Sequence, residues 1–600
     1  MASHTHLTGR VVQPPTGPVA GVTVELVVDS ETVASDETDD DGGFTLHVDE
    51  APTMESTLVV DDRIEESVTV ADDGGTVDPV VLPPDGDAGP SHHGHRPSPG
   101  AMKLMTASYA DDVSGGIHGS VEQRGLTETP RRPAASGLGR FERLFDFLPA
   151  ATHDVAFLEA LGGPNGPMNL GDEERPERRD FPPAGYVFYG QFIDHDVTLD
   201  TTSSLDRQVD PAALRNFRTP GLDLDNVYGA GREVDRHLYQ NGDPGAAQND
   251  EHKLLVGPDT DGTLADLPRN AQGVALIGDP RNDENQILSQ LHVSMLGAHN
   301  RIVDRLADER AGESAASLEE ASQLLRWHHQ YLVVNDFLPR VCQETVLDDV
   351  LENGRELFTV PDGEQRYVPV EFAGAAYRYG HSRIEETYRL NEGLEADLFQ
   401  GEPHLRGGRR LQGDRRIDWS YFFDLEGTQF EGAADDEDLQ RVAPIDRRLP
   451  ESLLRLPMFA DEGAVASLAT RNLLRGRRLG LPSGQAAARA VDAEVFTADD
   501  LGYDDDVAAV RRESGVEPGD PETPLWYYVL AEAEVANGGA RLGPVGSRIV
   551  AETLLGLVDE SRASYRTVQP NWTPAHVDEL PFDEEMGVGE LLAFGADARC

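Results

Sequence analysis

The chain has 600 residues, length enough for three or four ordinary domains, and 108 acidic against 51 basic residues give it a formal net charge of −57. That excess argues against nucleic acid and anionic membranes as partners, both of which need basic patches. With only two lysines, Lys103 and Lys253, and 38% hydrophobic residues, the composition matches a protein of a salt-accumulating halophile, in which molar salt shortens the Debye length to about 3 Å and screens self-repulsion.

The only cysteines, Cys342 and Cys600, leave no disulfide framework and no thiolate metal site. No run reaches the roughly 18 apolar residues of a membrane span. The first residues lack the basic and apolar regions of a leader, so the expectation is a cytoplasmic protein, with an extracellular home left open.

Residues 1–83 predict a small β-sandwich. Val11-Val12, Val22–Val28, Phe44–Val48, Leu58–Val60 and Val68–Val70 read as short strands separated by Pro-Pro, Asp-Gly and Gly-Gly turns. Gly9-x-Val, Gly21-Val-x-Val and Thr38-Asp-Asp-Asp-Gly-Gly-Phe-Thr-Leu46 resemble the carboxypeptidase regulatory-like or transthyretin-like sandwich, which implies a non-catalytic module. Residues 84–101 read as a flexible linker, and His92, His93 and His95 within it as solvated histidines before metal ligands.

Residues 102–600 predict a mainly α domain. Pro182 and Pro183 suit a first helical turn, and Val187, Phe188, Phe192 and Ile193 give the adjoining helix an apolar side. Gln191 and His195, four apart, share a face, with Asp194 and Asp196 about 100° to either side. The plainer alternative is an acidic cap beside a core histidine. Next, Thr219, Asp223 and Asp225, with the carbonyl of Gly221, can turn oxygens to one point and, with Asp196, suit Ca²⁺; a solvated acidic loop is the alternative.

Arg281 and Glu284 face the same way at the start of an amphipathic helix over Glu284–Asp308, and a simple i,i+3 salt bridge is the plain alternative to a site there. Helices are also expected over Gln323–Leu338, Glu451–Leu456, Leu468–Arg478 and Ser547–Val558. His381, in Tyr377-Arg-Tyr-Gly-His381, is a ligand or a packed histidine. Arg471-Asn-Leu-Leu-Arg-Gly-Arg-Arg-Leu-Gly-Leu-Pro482 is a binding segment or a basic helix end closed by Gly480 and Pro482.

In this order the blocks resemble the animal-type haem peroxidases of the peroxidase–cyclooxygenase superfamily, over roughly residues 100–580. Gly-Gln-Phe-Ile-Asp-His-Asp is similar to that family's distal helix. Gly-Asp-x-Arg-x-x-Glu with Leu291-His and His299-Asn-Arg-Ile is similar to its second distal helix, and Arg-Tyr-Gly-His to its proximal segment. The resemblance implies haem b with His381 as iron ligand and Asn472 accepting from the ring's other nitrogen. It implies Arg378 and Arg475 at the propionates, and Asp194 and Glu284 as carboxylates able to form ester links to haem.

By the same resemblance His195 is the general base and then acid toward hydrogen peroxide, and Arg281 stabilises the charge that develops as the O–O bond breaks. Gln191 holds the distal water or halide, and Ca²⁺ sits on Asp196, Thr219, Gly221, Asp223 and Asp225. The function implied is reduction of peroxide with oxidation of a small donor (halide, thiocyanate or phenol), of use against oxidative stress. The rival enzyme, a fatty-acid dioxygenase, places a tyrosine three residues before the proximal histidine, where this chain has Arg378. A non-catalytic haem or adhesion protein would need neither His195 nor Arg281.

Overall fold

The computed structural model divides into two compact units, Met1–Lys103 and Leu104–Cys600. It describes the backbones of strands between residues 5 and 81. It also describes residues 139–596, apart from the segments 172–174, 176–177, 201–210, 212–213, 242–249, 310–316, 362–364, 457–465, 498, 503–504 and 515–521.

In the first unit, β1 (Thr5–Gln13) pairs antiparallel with β2 (Gly17–Pro18). The second sheet is built on β3 (Thr23–Val28), which lies between β4 (Glu31–Glu37) and β6 (Ser56–Val60), with β7 (Ile64–Val68) beyond β6. Strand β5 (Gly43–Val48) pairs antiparallel with β1, while β8 (Gly75–Thr76) and β9 (Val80–Val81) join β1 in parallel. Strand β4 escapes a reading of Glu-Thr-Val-Ala-Ser-Asp-Glu, which has too few apolar positions to alternate; it is defined by its pairing with β3. Whether the sheets pack as a sandwich, like the linker and its histidines, lies outside the described residues.

The second unit is mainly helical, as expected. Helix α1 (Gly185–Val197) starts after Pro182 and Pro183 rather than around them. Tyr186, Val187, Phe188, Tyr189, Phe192, Ile193 and Val197 are all buried, so α1 is a central helix with apolar contacts on every side rather than one. Tyr189 hydrogen-bonds His329 Nδ1 at 2.8 Å, and Phe192 packs edge-on against His292 and His329.

A 3-10 turn, Pro280–Asp283, leads into α2 (Gln286–Glu309). Helix α3 (Leu318–Leu332) ends in a π turn, Val333–Phe337. The 3-10 segment Ala376–His381 packs against α1, α5 (Leu525–Asn537) and α6 (Pro544–Asp559). The contact with α1 is close. A Cβ on Gly380 would lie 3.9 Å from Val187, and one on Gly190 3.7 Å from the Tyr377 hydroxyl. Helix α4 (Leu468–Arg478) has the expected bounds.

Helix α7 (Val588–Ala596) crosses α2 at two glycines. A Cβ on Gly297 would strike the carbonyl of Gly595, and one on Gly595 would strike that of Ser294, so only glycine permits this approach. Arg301 fastens the crossing, donating to the Phe594 carbonyl at 2.8 Å with its guanidinium over the Phe594 ring.

Candidate active site

The first cluster forms where α1 meets the 3-10 turn. His195 is buried, and its Nδ1 lies 2.8 Å from Asn282 Oδ1. Among the described residues Nε2 has no hydrogen-bond partner, and it is not sealed from solvent. Burial, with the nearby charge of Arg281, brings the His195 pKa down to about 4, and the ring is neutral near pH 7.

Arg281 is held by Asp279, with Nε at 3.1 Å from Oδ1 and Nη2 at 2.8 Å from Oδ2. It also donates to the Thr198 carbonyl, and its Nη1 is 3.9 Å from Asp194. The simple salt bridge to Glu284 is not formed. Glu284 instead accepts from Gln191 Nε2 at 3.2 Å, and Gln191 Oε1 is 3.5 Å from Asn285 Nδ2. Glu284 keeps exposed surface, and desolvation raises its pKa.

The second cluster lies on the 3-10 segment and α4. His381 Nδ1 is 2.8 Å from Asn472 Nδ2, while Asn472 Oδ1 accepts from Arg378 Nη1 at 3.3 Å. The amide of Asn472 thus meets the second nitrogen of the ring. A ligating Nε2 requires the amide turned by half a rotation, with Oδ1 accepting from Nδ1–H. Burial and Arg378 push the His381 pKa down to about 3, and its Nε2 is partnerless and unsealed.

Arg378 is lowered to about 10 by burial and then by Arg475, whose Nη1 is 3.7 Å from Asp200. Two guanidiniums pressing on each other in a recess suit an anionic group between them. Arg378 also feels the charges of Asp194 and Arg281, so both clusters border one region. A neutral imidazole with a partnerless Nε2 beside paired arginines fits a haem.

The third cluster joins the C-terminal end of α1 to the loop after it. Asp196, Asp223 and Asp225 each offer an oxygen within 4.8 Å of the others. Thr219 Oγ1 is 2.7 and 2.8 Å from the two Asp223 oxygens and 3.2 Å from Asp225 Oδ2. Asp196 Oδ1 is buried without a hydrogen bond, and burial raises that carboxyl's pKa. Leu222 and Leu224 adopt φ of 48° and 58°, a left-handed geometry costing about 1–3 kcal/mol each that their full burial and surrounding hydrogen bonds enforce. Gly221 lies in this loop with Arg366 against it, 2.8 Å from where a Cβ would stand. Converging carboxylates repel, and an all-oxygen set suits a hard cation.

Three residues escaped the sequence reading. Asp279 organises Arg281 and Arg218, Asn282 touches His195, and His292 lies beyond Asn282 with its Nδ1 2.9 Å from the amide nitrogen. All three fell inside recognised motifs, but nothing in the spacing assigns their partners.

Residues 201–562 match the Animal haem peroxidase family, a span that begins just past α1. The chain belongs to that family. It is 26% identical over 319 residues to Peroxidasin of Drosophila melanogaster, covering 50% of this chain and 19% of that protein. It is 27% identical over 308 residues to Thyroid peroxidase of Homo sapiens, covering 45% and 30%. The chain thus spans less than half of either relative. Peroxidase A from Dictyostelium discoideum shares the fold, with a TM-score of 0.50 at 15% identity, covering 74% of this chain and 94% of that one.

Proposed function

We propose that this chain is a haem peroxidase that reduces hydrogen peroxide to water while oxidising a small donor such as a halide, thiocyanate or a phenol. The observation that carries the reading is a pair of neutral imidazoles, His195 and His381, each with Nε2 free, on elements packed together and flanked by Arg281 and Arg378. Haem b, ligated by His381 and anchored by Arg378 and Arg475, supplies the redox chemistry at iron when bound.

The chain's own residues move the proton and steady the charge. His195 takes a proton from peroxide at Nε2 and returns it to the leaving oxygen. Arg281, fixed by Asp279, places its cation where negative charge develops as the O–O bond breaks. Gln191 holds a water or halide beside His195 from its seat on Glu284. Asp194 and Glu284 keep accessible surface, which supports ester links to haem. The carboxylates of Asp196, Asp223 and Asp225, with Thr219 and Gly221, hold Ca²⁺ and tie α1 to its loop. The acidic surface suits work at high salt.

Guaiacol oxidation by haem-supplemented protein in molar salt tests the reading. His195→Ala lowers the rate by about 10²–10⁴-fold with the haem absorbance retained. An unchanged rate, or robust oxygen uptake with linoleate in its place, overturns it.

A further inference from the structure

Asn282 stands between two imidazoles, its Oδ1 2.8 Å from His195 Nδ1 and its Nδ2 2.9 Å from His292 Nδ1. An amide accepts at one end and donates at the other, so the two ring nitrogens it touches must be in opposite states. In this orientation His195 Nδ1 carries a hydrogen and donates it to Oδ1, while His292 Nδ1 is bare and accepts from Nδ2, its own hydrogen lying on Nε2, which is buried and has no hydrogen-bond partner among the described residues. A neutral imidazole has one N–H, so His195 Nε2 is left bare, and Nε2 is the nitrogen not sealed from solvent.

Water cannot take over these roles. His195 is 4% exposed, and Asn282 and His292 are fully buried. The rings are fixed as well. Phe192, one turn before His195 on α1, packs edge-on against His292 at 6.1 Å. If Asn282 turned over, His195 Nε2 would carry the hydrogen and present a donor, not a base.

We propose that Asn282 and His292 act together as a tautomer lock, holding His195 as the Nδ1–H form with Nε2 bare so that it can take a proton from peroxide. Both are positioning residues, since both are fully buried. The lock serves both halves of the proton transfer. When Nε2 gains the peroxide proton, the Nδ1–H to Oδ1 bond persists and stabilises the imidazolium; when Nε2 gives that proton to the leaving oxygen, the ring returns to its starting tautomer. The role rests on the peroxidase reading, but the tautomer itself does not.

The test reads ring nitrogens directly. The full chain is labelled with ¹⁵N-histidine, and the His195 signals are assigned by their loss in His195→Gln. Without haem, the wild type is expected to show His195 protonated at Nδ1 and bare at Nε2, and His292 the reverse. Asn282→Leu and His292→Phe are expected to give a mixture at His195. Asn282→Asp, which accepts from both rings, keeps Nδ1–H on His195 but moves the hydrogen of His292 to Nδ1. With haem, Asn282→Leu lowers the second-order rate with peroxide at least about tenfold and leaves the donor KM unchanged, and Asn282→Asp restores it.

A wild-type His195 protonated at Nε2, or an Asn282→Leu variant with the wild-type tautomer, overturns the lock. Should Asn282→Leu fail to fold, Asn282→Asp decides alone, because an unaltered His292 in it refutes the shared amide. The expected tautomers in a protein that never reacts with peroxide would refute the peroxidase reading instead.

Discussion

At the scale of single residues, the least replaceable charge in the site is a carboxylate that never touches the recess. Asp279 is fully buried and binds both Arg218 and Arg281, with its pKa held well below the ordinary range despite burial, because the two cations favour its charged form. Asp279→Asn leaves two guanidiniums facing a neutral amide, and removing one partner of a buried pair costs about 3–5 kcal/mol. It is expected to lower urea stability by that order and the peroxide rate at least about tenfold, while His195 keeps its place on Asn282. Wild-type rates in this variant would show that Arg281 is positioned by the backbone alone. His195, Arg281 and His381 each stand in a contiguous word of sequence, so the sequence alone singles them out as candidates. Asn282 was not legible, because its meaning lies in bridging two helices whose histidines, His195 and His292, are 97 positions apart.

At the scale of elements, periodicity located the helices and left their ends to tertiary contacts. Helix α4 kept its bounds, but α2 begins later than expected because Asp279 caps a 3-10 turn first, and α3 gives way to a π turn rather than running on to Leu338. Helix α6 begins on a buried acid from α5. Glu532 accepts from the backbone amides of Val545 and Gly546, yet desolvation outweighs those bonds and pushes its pKa up to about 8. A carboxyl raised in the folded state contributes stability below its unfolded pKa, near 4.5, and loses it as pH rises through 8. Glu532→Gln keeps an acceptor without the charge. The variant is expected to match the wild type at low pH and exceed it above pH 8, by on the order of 4 kcal/mol at most, read from Tm across pH 5–9. A parallel pH dependence in both proteins would refute this. At the glycine crossing, Gly595→Ala forces a methyl into the Ser294 carbonyl; a loss of about 1–3 kcal/mol in urea unfolding is expected, and none would mean the helices part easily.

At the scale of the whole molecule, composition speaks to the solvent rather than to the chemistry. A net charge of −57 on one chain opposes compaction, and Tm is expected to climb steadily from dilute buffer to molar KCl; a flat response would show the charges are already neutralised within the fold. The helical character of the second unit was legible from patterning. Which distant segments meet was not, because sequence periodicity says which face is buried and not against what. The crossing of α2 by α7 is such a distant meeting. The helix that carries His292 is clasped by residues about three hundred positions later, so its environment is completed only after nearly the entire chain has found its place. A single proteolytic cut just before Val588 would then leave most of the molecule covalently whole while unfastening the helix that carries His292, and protection of α2 amides against deuterium would report the loss first.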